Sequence, residues 1–92
     1  MLSLNDVVVI SDKIVTRETE GELVVVLPEK GKFVVLNATG AEMMQLADGE
    51  RTLAEIAAEI ADRFDADLSR VQTDVLNFAK DLTSRGVLIA RS

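Results

Sequence analysis

The chain has 92 residues, no Cys, no His, three aromatic residues (all Phe) and a net charge of −6. Without Cys there is no disulfide framework or thiolate metal site, and without His the commonest general base is missing. An acidic chain is a poor partner for nucleic acid or anionic membrane, no apolar run nears the roughly 20 residues that span a bilayer, and no signal peptide opens it; one small cytoplasmic domain over residues 1–92 is expected.

Residues 1–12 hold one short β-branched run, Val7 to Ile10, either an extra strand or an extended arm. Ile14 to Thr19 alternates as a strand does, and Glu20-Gly21-Glu22 reads as a turn. Leu23 to Leu27 is an apolar, Val-rich run of strand length. Pro28-Glu29-Lys30-Gly31 is the next turn, with Pro where a fixed φ suits it and Gly where φ can be positive. Lys32 to Leu36 is the last strand of the block. Connections this short make neighbours antiparallel, so the block reads as a meander.

Three helices follow, each announced by a Ser or Thr with Glu or Gln three residues on. The pairs are Thr39 with Glu42, Thr52 with Glu55, and Ser69 with Gln72. In such a capping box the hydroxyl accepts from a free N–H of the first turn, and the acid or amide reaches back to the cap's own N–H. The first helix is expected over Gly40–Ala47, ending at Asp48-Gly49. The second, Leu53–Phe64, has the apolar stripe Leu53, Ile56, Ala57, Ile60, Ala61 and Phe64. The third, Arg70–Arg85, has the stripe Val71, Val75, Phe78 and Leu82, and stops at Gly86, a natural C′ residue. Val87 to Ala90 is a closing strand. The order predicts an α+β fold, winged helix-turn-helix-like, with an N-terminal three-stranded antiparallel sheet packed on three helices.

Catalytic chemistry finds no footing, because no base is available to activate the Ser and Thr hydroxyls. Glu55, Glu59 and Asp62 share a helix face, but a solvated face explains them more simply than a cation site, which needs more converging oxygens. No catalytic, metal or cofactor residues are assigned. A winged-helix DNA-binding regulator is the first alternative. Its recognition helix would be the third, where Asp74 and Asp81 offset Arg70, Lys80 and Arg85, a poor match to phosphates.

Binding is better supported. Phe33, Val34, Val35 and Leu36 are consecutive and apolar, and only Lys32 precedes them as a charge. As the last strand of a meander, Lys32–Leu36 either lies at the sheet edge with backbone groups free to pair, or is central or covered by the chain's own helices. On the third helix, Leu76 falls off the core stripe, on an uncharged flank with Gln72, Ala79 and Thr83. An open edge beside such a flank makes a groove in which an extended peptide adds a strand. A structural homodimer pairing through the same edge is the second alternative.

The pattern Leu36-Asn37-x-Thr39-Gly40-Ala41-Glu42, then Asp48-Gly49-x-x-Thr52-x-x-Glu55-Ile56, then Val71…Asp74-Val75…Phe78…Leu82…Gly86-Val87-Leu88 resembles the PqqD family. The family comprises pyrroloquinoline quinone biosynthesis protein D and related leader-peptide recognition elements of ribosomally made, modified peptides. The likeness covers about residues 14–89. It implies a non-catalytic domain that binds the leader of a precursor peptide as an added strand, between the third strand and the third helix. The domain then presents it to a modifying enzyme, often a radical S-adenosylmethionine protein, or to a leader peptidase. Carried onto this chain, the contacts would be Lys32, Phe33, Val34, Val35 and Leu36 on the strand, and Gln72, Leu76 and Ala79 on the helix. Met44 stands where many relatives carry Trp, a flexible core filler in place of a rigid one.

Overall fold

In a computed structural model that describes residues 1–91, the chain runs β1 (Val7–Ile10), β2 (Val15–Thr19), β3 (Glu22–Leu27), a 3₁₀ turn (Pro28–Lys30) and β4 (Lys32–Leu36). It continues through α1 (Ala38–Leu46), β5 (Asp48–Thr52), α2 (Leu53–Arg63), α3 (Leu68–Ser84) and β6 (Leu88–Arg91). The expected meander is there. β2, β3 and β4 form an antiparallel sheet in that order. Gly21 and Gly31 take positive φ, 74° and 62°, where its two tight connections demand it.

The rest differs from expectation in one respect that matters for topology. Val7–Ile10 is not an arm but the central strand of a second antiparallel sheet, ordered β5-β1-β6, and Val8 is fully buried there. β5 has no β-branched alternation and reads as a turn after the first helix. It is a strand because β1 pairs with it, Val7 opposite Thr52 and Val9 opposite Asp48. The Asp48 carboxylate also shapes it locally, accepting from the Glu50 and Arg51 N–H groups at 2.9 Å each. β6 pairs with β1, from Val7–Arg91 to Ile10–Leu88. The strand after α3 therefore closes a second sheet on β1.

Of the three expected capping boxes one forms as read. The Thr52 hydroxyl accepts from the Glu55 N–H at 3.1 Å, and the Glu55 carboxylate accepts from the Thr52 N–H at 2.9 Å. The other two helices start earlier. Asn37 caps α1, its side chain accepting from the Gly40 N–H at 2.9 Å. Glu42 is then free to pair with Arg63 at the end of α2. Asp67 caps α3 by accepting from the Arg70 N–H at 3.2 Å. In both cases an Asx side chain two residues upstream of the hydroxyl takes the cap, and for Asn37 over Thr39 this follows the ordinary cap preference. α3 ends as expected. Gly86 takes φ 83°, its N–H reaches the Thr83 carbonyl, and the Val87 N–H reaches that of Leu82, a Schellman closure.

The core lies between the sheets and helices. β3 contributes Leu23, Val25 and Leu27, α1 contributes Met43, Met44 and Leu46, and α2 contributes Leu53, Ile56, Ala57, Ile60 and Ala61. Met44 is buried, so the thioether fills its place in the core. Two expected core residues sit elsewhere. Phe64 is half exposed, because it is the C-cap of α2 and lies past the last turn. On α3 the buried set is Val71, Val75, Ala79 and Leu82, with Phe78 only partly covered.

The Thr52–Glu55 box gives a stability prediction. Thr52→Ala should lower unfolding free energy by about 1 kcal/mol, read as a lower urea midpoint with unchanged slope. The same box sets a pH dependence. The Thr52 N–H holds the Glu55 carboxyl below its ordinary value of 4.5, so the fold favours the ionised form. That contribution is present in full above the ordinary value and is lost as pH falls through the lowered one. Urea midpoints should drop on acidification below about pH 4.5, and Glu55→Gln should flatten the drop.

Candidate functional site

β4 has one neighbour. In the order β2-β3-β4 its far edge pairs with no strand among the described residues, so alternate N–H and C=O groups there point away from the sheet. The opposite edge, β2, is flanked or occupied by Lys13, Arg17 and Glu18, side chains that discourage pairing.

The register of β4 assigns its side chains to faces. Lys32, Val34 and Leu36 lie opposite Leu27, Val25 and Leu23, all buried on β3, and so share the inner, helix-side face. Leu36 is buried and Val34 packs partly against the core. Phe33 and Val35 lie opposite Val26 and Val24 on the outer face, 67% and 47% exposed.

α3 stands across from β4 and approaches it at two places, one near each end of the strand. At one end three residues meet around Gly40. A side-chain carbon built there would lie 2.9 Å from the Phe78 ring and 3.2 Å from Leu36 Cβ, so only hydrogen fits between them. At the other end the Lys30 ammonium, in the turn before β4, donates to the Arg85 carbonyl at 3.0 Å. Between the walls there opens a cleft of about 180 Å³, lined by Leu27, Lys30, Lys32, Val34, Ser84 and Arg85. The Asp81 carboxylate accepts from Arg85 Nε at 3.1 Å, one turn away.

The structure places Lys32–Leu36 on an unpaired sheet edge, and it does not bring all three expected helix residues to a surface beside that edge. Ala79 is 0% exposed and packs the domain's own core. Gln72 and Leu76 lie three and two turns before Thr83 on one flank. Thr83 looks to the other side of the molecule, lining a hollow with Leu2, Asp6 and Ala90. The α3 residues beside β4 and the turn before it are Phe78, Ser84 and Arg85. In the sequence Phe78 reads as core stripe and Arg85 as part of a charged flank, so neither marks a peptide contact. The signal that marks this side of the helix is Gly40, a small residue in the first turn of α1 that only makes sense against a large side chain such as Phe78.

Residues 22–88 match the family model described as Coenzyme PQQ synthesis protein D (PqqD). A PqqA binding protein of Rhizobium meliloti (strain 1021) is 35% identical over 68 residues, which are 74% of this chain and 67% of that protein. Two solved structures share the fold, each at 24% identity and a TM-score of 0.80. One is TbiB1 in complex with the TbiA(beta) leader peptide, with 91% of this chain and 98% of that chain covered. The other is the solution structure of the PqqD truncation of Methylobacterium extorquens PqqCD, a stand-alone recognition element, with 96% and 94% covered.

Gly40→Ala tests the closed end of the groove. The added methyl meets the movable tip of Phe78 but also the fixed Cβ of Leu36. The ring should be displaced and stability lowered by about 1 kcal/mol or more, as overpacking does. Urea titration gives the stability, and chemical shifts of the Phe78 ring protons report the displacement.

Proposed function

Because the chain belongs to the PqqD family, we propose that it is a non-catalytic peptide chaperone. It binds the leader segment of a precursor peptide by strand addition and presents it to a modifying enzyme in the cytoplasm. A radical S-adenosylmethionine protein or a leader peptidase would suit that role, in pyrroloquinoline quinone or another modified-peptide pathway. The observation that carries this is the unpaired edge of β4, set across a groove from α3. The likeness to a protein whose name says it binds PqqA, and the fold shared with a leader-peptide complex, support it.

The physical logic is that of β-augmentation. A peptide laid along the five residues of β4 exchanges water for backbone bonds, each worth about 0.5–1.5 kcal/mol net. Those bonds hold any extended sequence, so selectivity comes from alternate side chains that turn into the groove. On the peptide these are the residues opposite Lys32, Val34 and Leu36. In this arrangement Phe78 and Arg85 supply the groove side of α3, and Ala79, fully buried, is out of reach of a guest. Phe33 and Val35 contribute backbone and flank the guest on the outer face. A free apolar edge also suits a second copy of this chain, and the test below separates the two. Binding of DNA is disfavoured, since the groove flank of α3 carries Asp81 and the same helix Asp74.

Titration of a fluorescently labelled leader peptide, taken from a precursor gene beside this one, should give saturable binding. Val34→Asp should weaken it at least about tenfold, or roughly 1.4 kcal/mol. Val15→Asp, on β2, should leave it unchanged. Urea titration of both variants confirms that they fold. Equal binding by Val34→Asp and the parent overturns strand addition at β4. Sedimentation over a range of concentrations, with and without peptide, shows whether a self-paired dimer competes for the edge.

A further inference from the structure

The two ends of the groove are chemically unlike. The end at Gly40 is apolar, formed by Leu36 and the ring of Phe78. The end at Lys30 is cationic. Lys30, Lys32 and Arg85 line the one small cleft there, with the Ser84 hydroxyl beside them. The chain has only ten Lys and Arg against sixteen Asp and Glu, yet three of the ten gather at this spot. Arg85 is partly neutralised by Asp81, which holds its Nε. Glu29 faces the neighbouring hollow with Lys13 and not this cleft. Lys32 has no acidic partner among the ion pairs, and Lys30 spends one of its protons on a carbonyl.

Lys32 occupies a position of consequence on β4. It lies on the inner face with Val34 and Leu36, so it points along the groove wall and not away from it. In a sheet, residues directly opposite on adjacent strands share a face and touch. A guest strand beside β4 therefore turns three side chains inward, at spacing i, i+2, i+4. Two would meet Leu36, Val34 and Phe78. The third would meet Lys32, Lys30 and Arg85.

We infer that the groove selects a peptide bearing an acidic side chain at one end of an alternating apolar segment, the carboxylate seated between Lys32 and Arg85. The inference rests on strand addition at β4 and adds to it the chemistry of the guest. Opposite charge placed across a strand pair stabilises it, whereas like charge there is unfavourable. A basic residue at that position would be rejected, so the cationic end also fixes register. A slip of one residue would turn the acid out of the groove, and a slip of two would seat it against Val34.

A display library of random 12-residue peptides, selected on the intact chain, tests this without knowledge of the natural precursor. Selected peptides should share two apolar residues and one Asp or Glu at alternate positions. Replacing that acid by its amide in a synthetic copy should weaken binding about three- to tenfold at roughly 50 mM NaCl, and less at roughly 500 mM. The double variant Lys32→Glu/Arg85→Glu should select Lys or Arg at the same place, and Lys32→Gln/Arg85→Gln should lose the preference without gaining the opposite one. Both sites are exposed, and urea titration confirms folding. Peptides that lose binding in Val34→Asp but show no acidic preference overturn this inference and leave strand addition standing. Selected peptides indifferent to Val34→Asp overturn strand addition, and the acidic preference with it.

Discussion

An incomplete hydrogen-bond ladder governs this molecule. β3 has strands on both sides, and β2 ends its side of the sheet with charge. On the other side β4 presents its backbone to water with apolar side chains on either face. Such an edge invites uncontrolled pairing. Here it is confined by the third helix, which stands across from it and limits what can enter. A strand from another molecule that approaches this edge meets α3 near Leu36, where Phe78 stands, and near Lys30, which bonds to Arg85. The geometry that lowers the hazard is the same geometry that gives the edge a use.

The groove stays open because its walls are tied at two points and held apart between them. Phe78 against Gly40 and Leu36 ties one end through packing, and Lys30 on the Arg85 carbonyl ties the other through a hydrogen bond. These ties differ in character. The first is rigid and sensitive to a single methyl. The second hangs on a long, exposed side chain and adapts. Behind α3, Val71, Val75, Ala79 and Leu82 anchor the helix to the core, so it does not collapse onto β4. The second sheet backs this anchor, since β6 follows directly from the Schellman closure and packs on α3.

Local chemistry made much of this legible in the sequence. Short turns with Gly and Pro fixed the β2–β4 meander, and the Thr52–Glu55 box fixed the start of α2. What stayed hidden was non-local. β5 is a polar pentapeptide that becomes a strand only because β1 lies beside it. The caps at Asn37 and Asp67 were masked by hydroxyl residues two places on, which also fit a capping pattern. The groove flank of α3 is hard to read from sequence for a related reason. Periodicity identifies the faces of a helix but not which neighbour each one meets. Leu76 and Phe78 are both partly buried against the core, and only the structure shows that Phe78 also stands beside Gly40 and Leu36.

The pairing of Val7 with Arg91 puts both extremities of the described chain side by side, in the sheet that does not contain β4. The first and last strands therefore brace one another, and neither takes a hydrogen bond from the ladder that β4 leaves open. Strain or loosening in that second sheet would thus reach β4 only through the core and α3, which packs on β6.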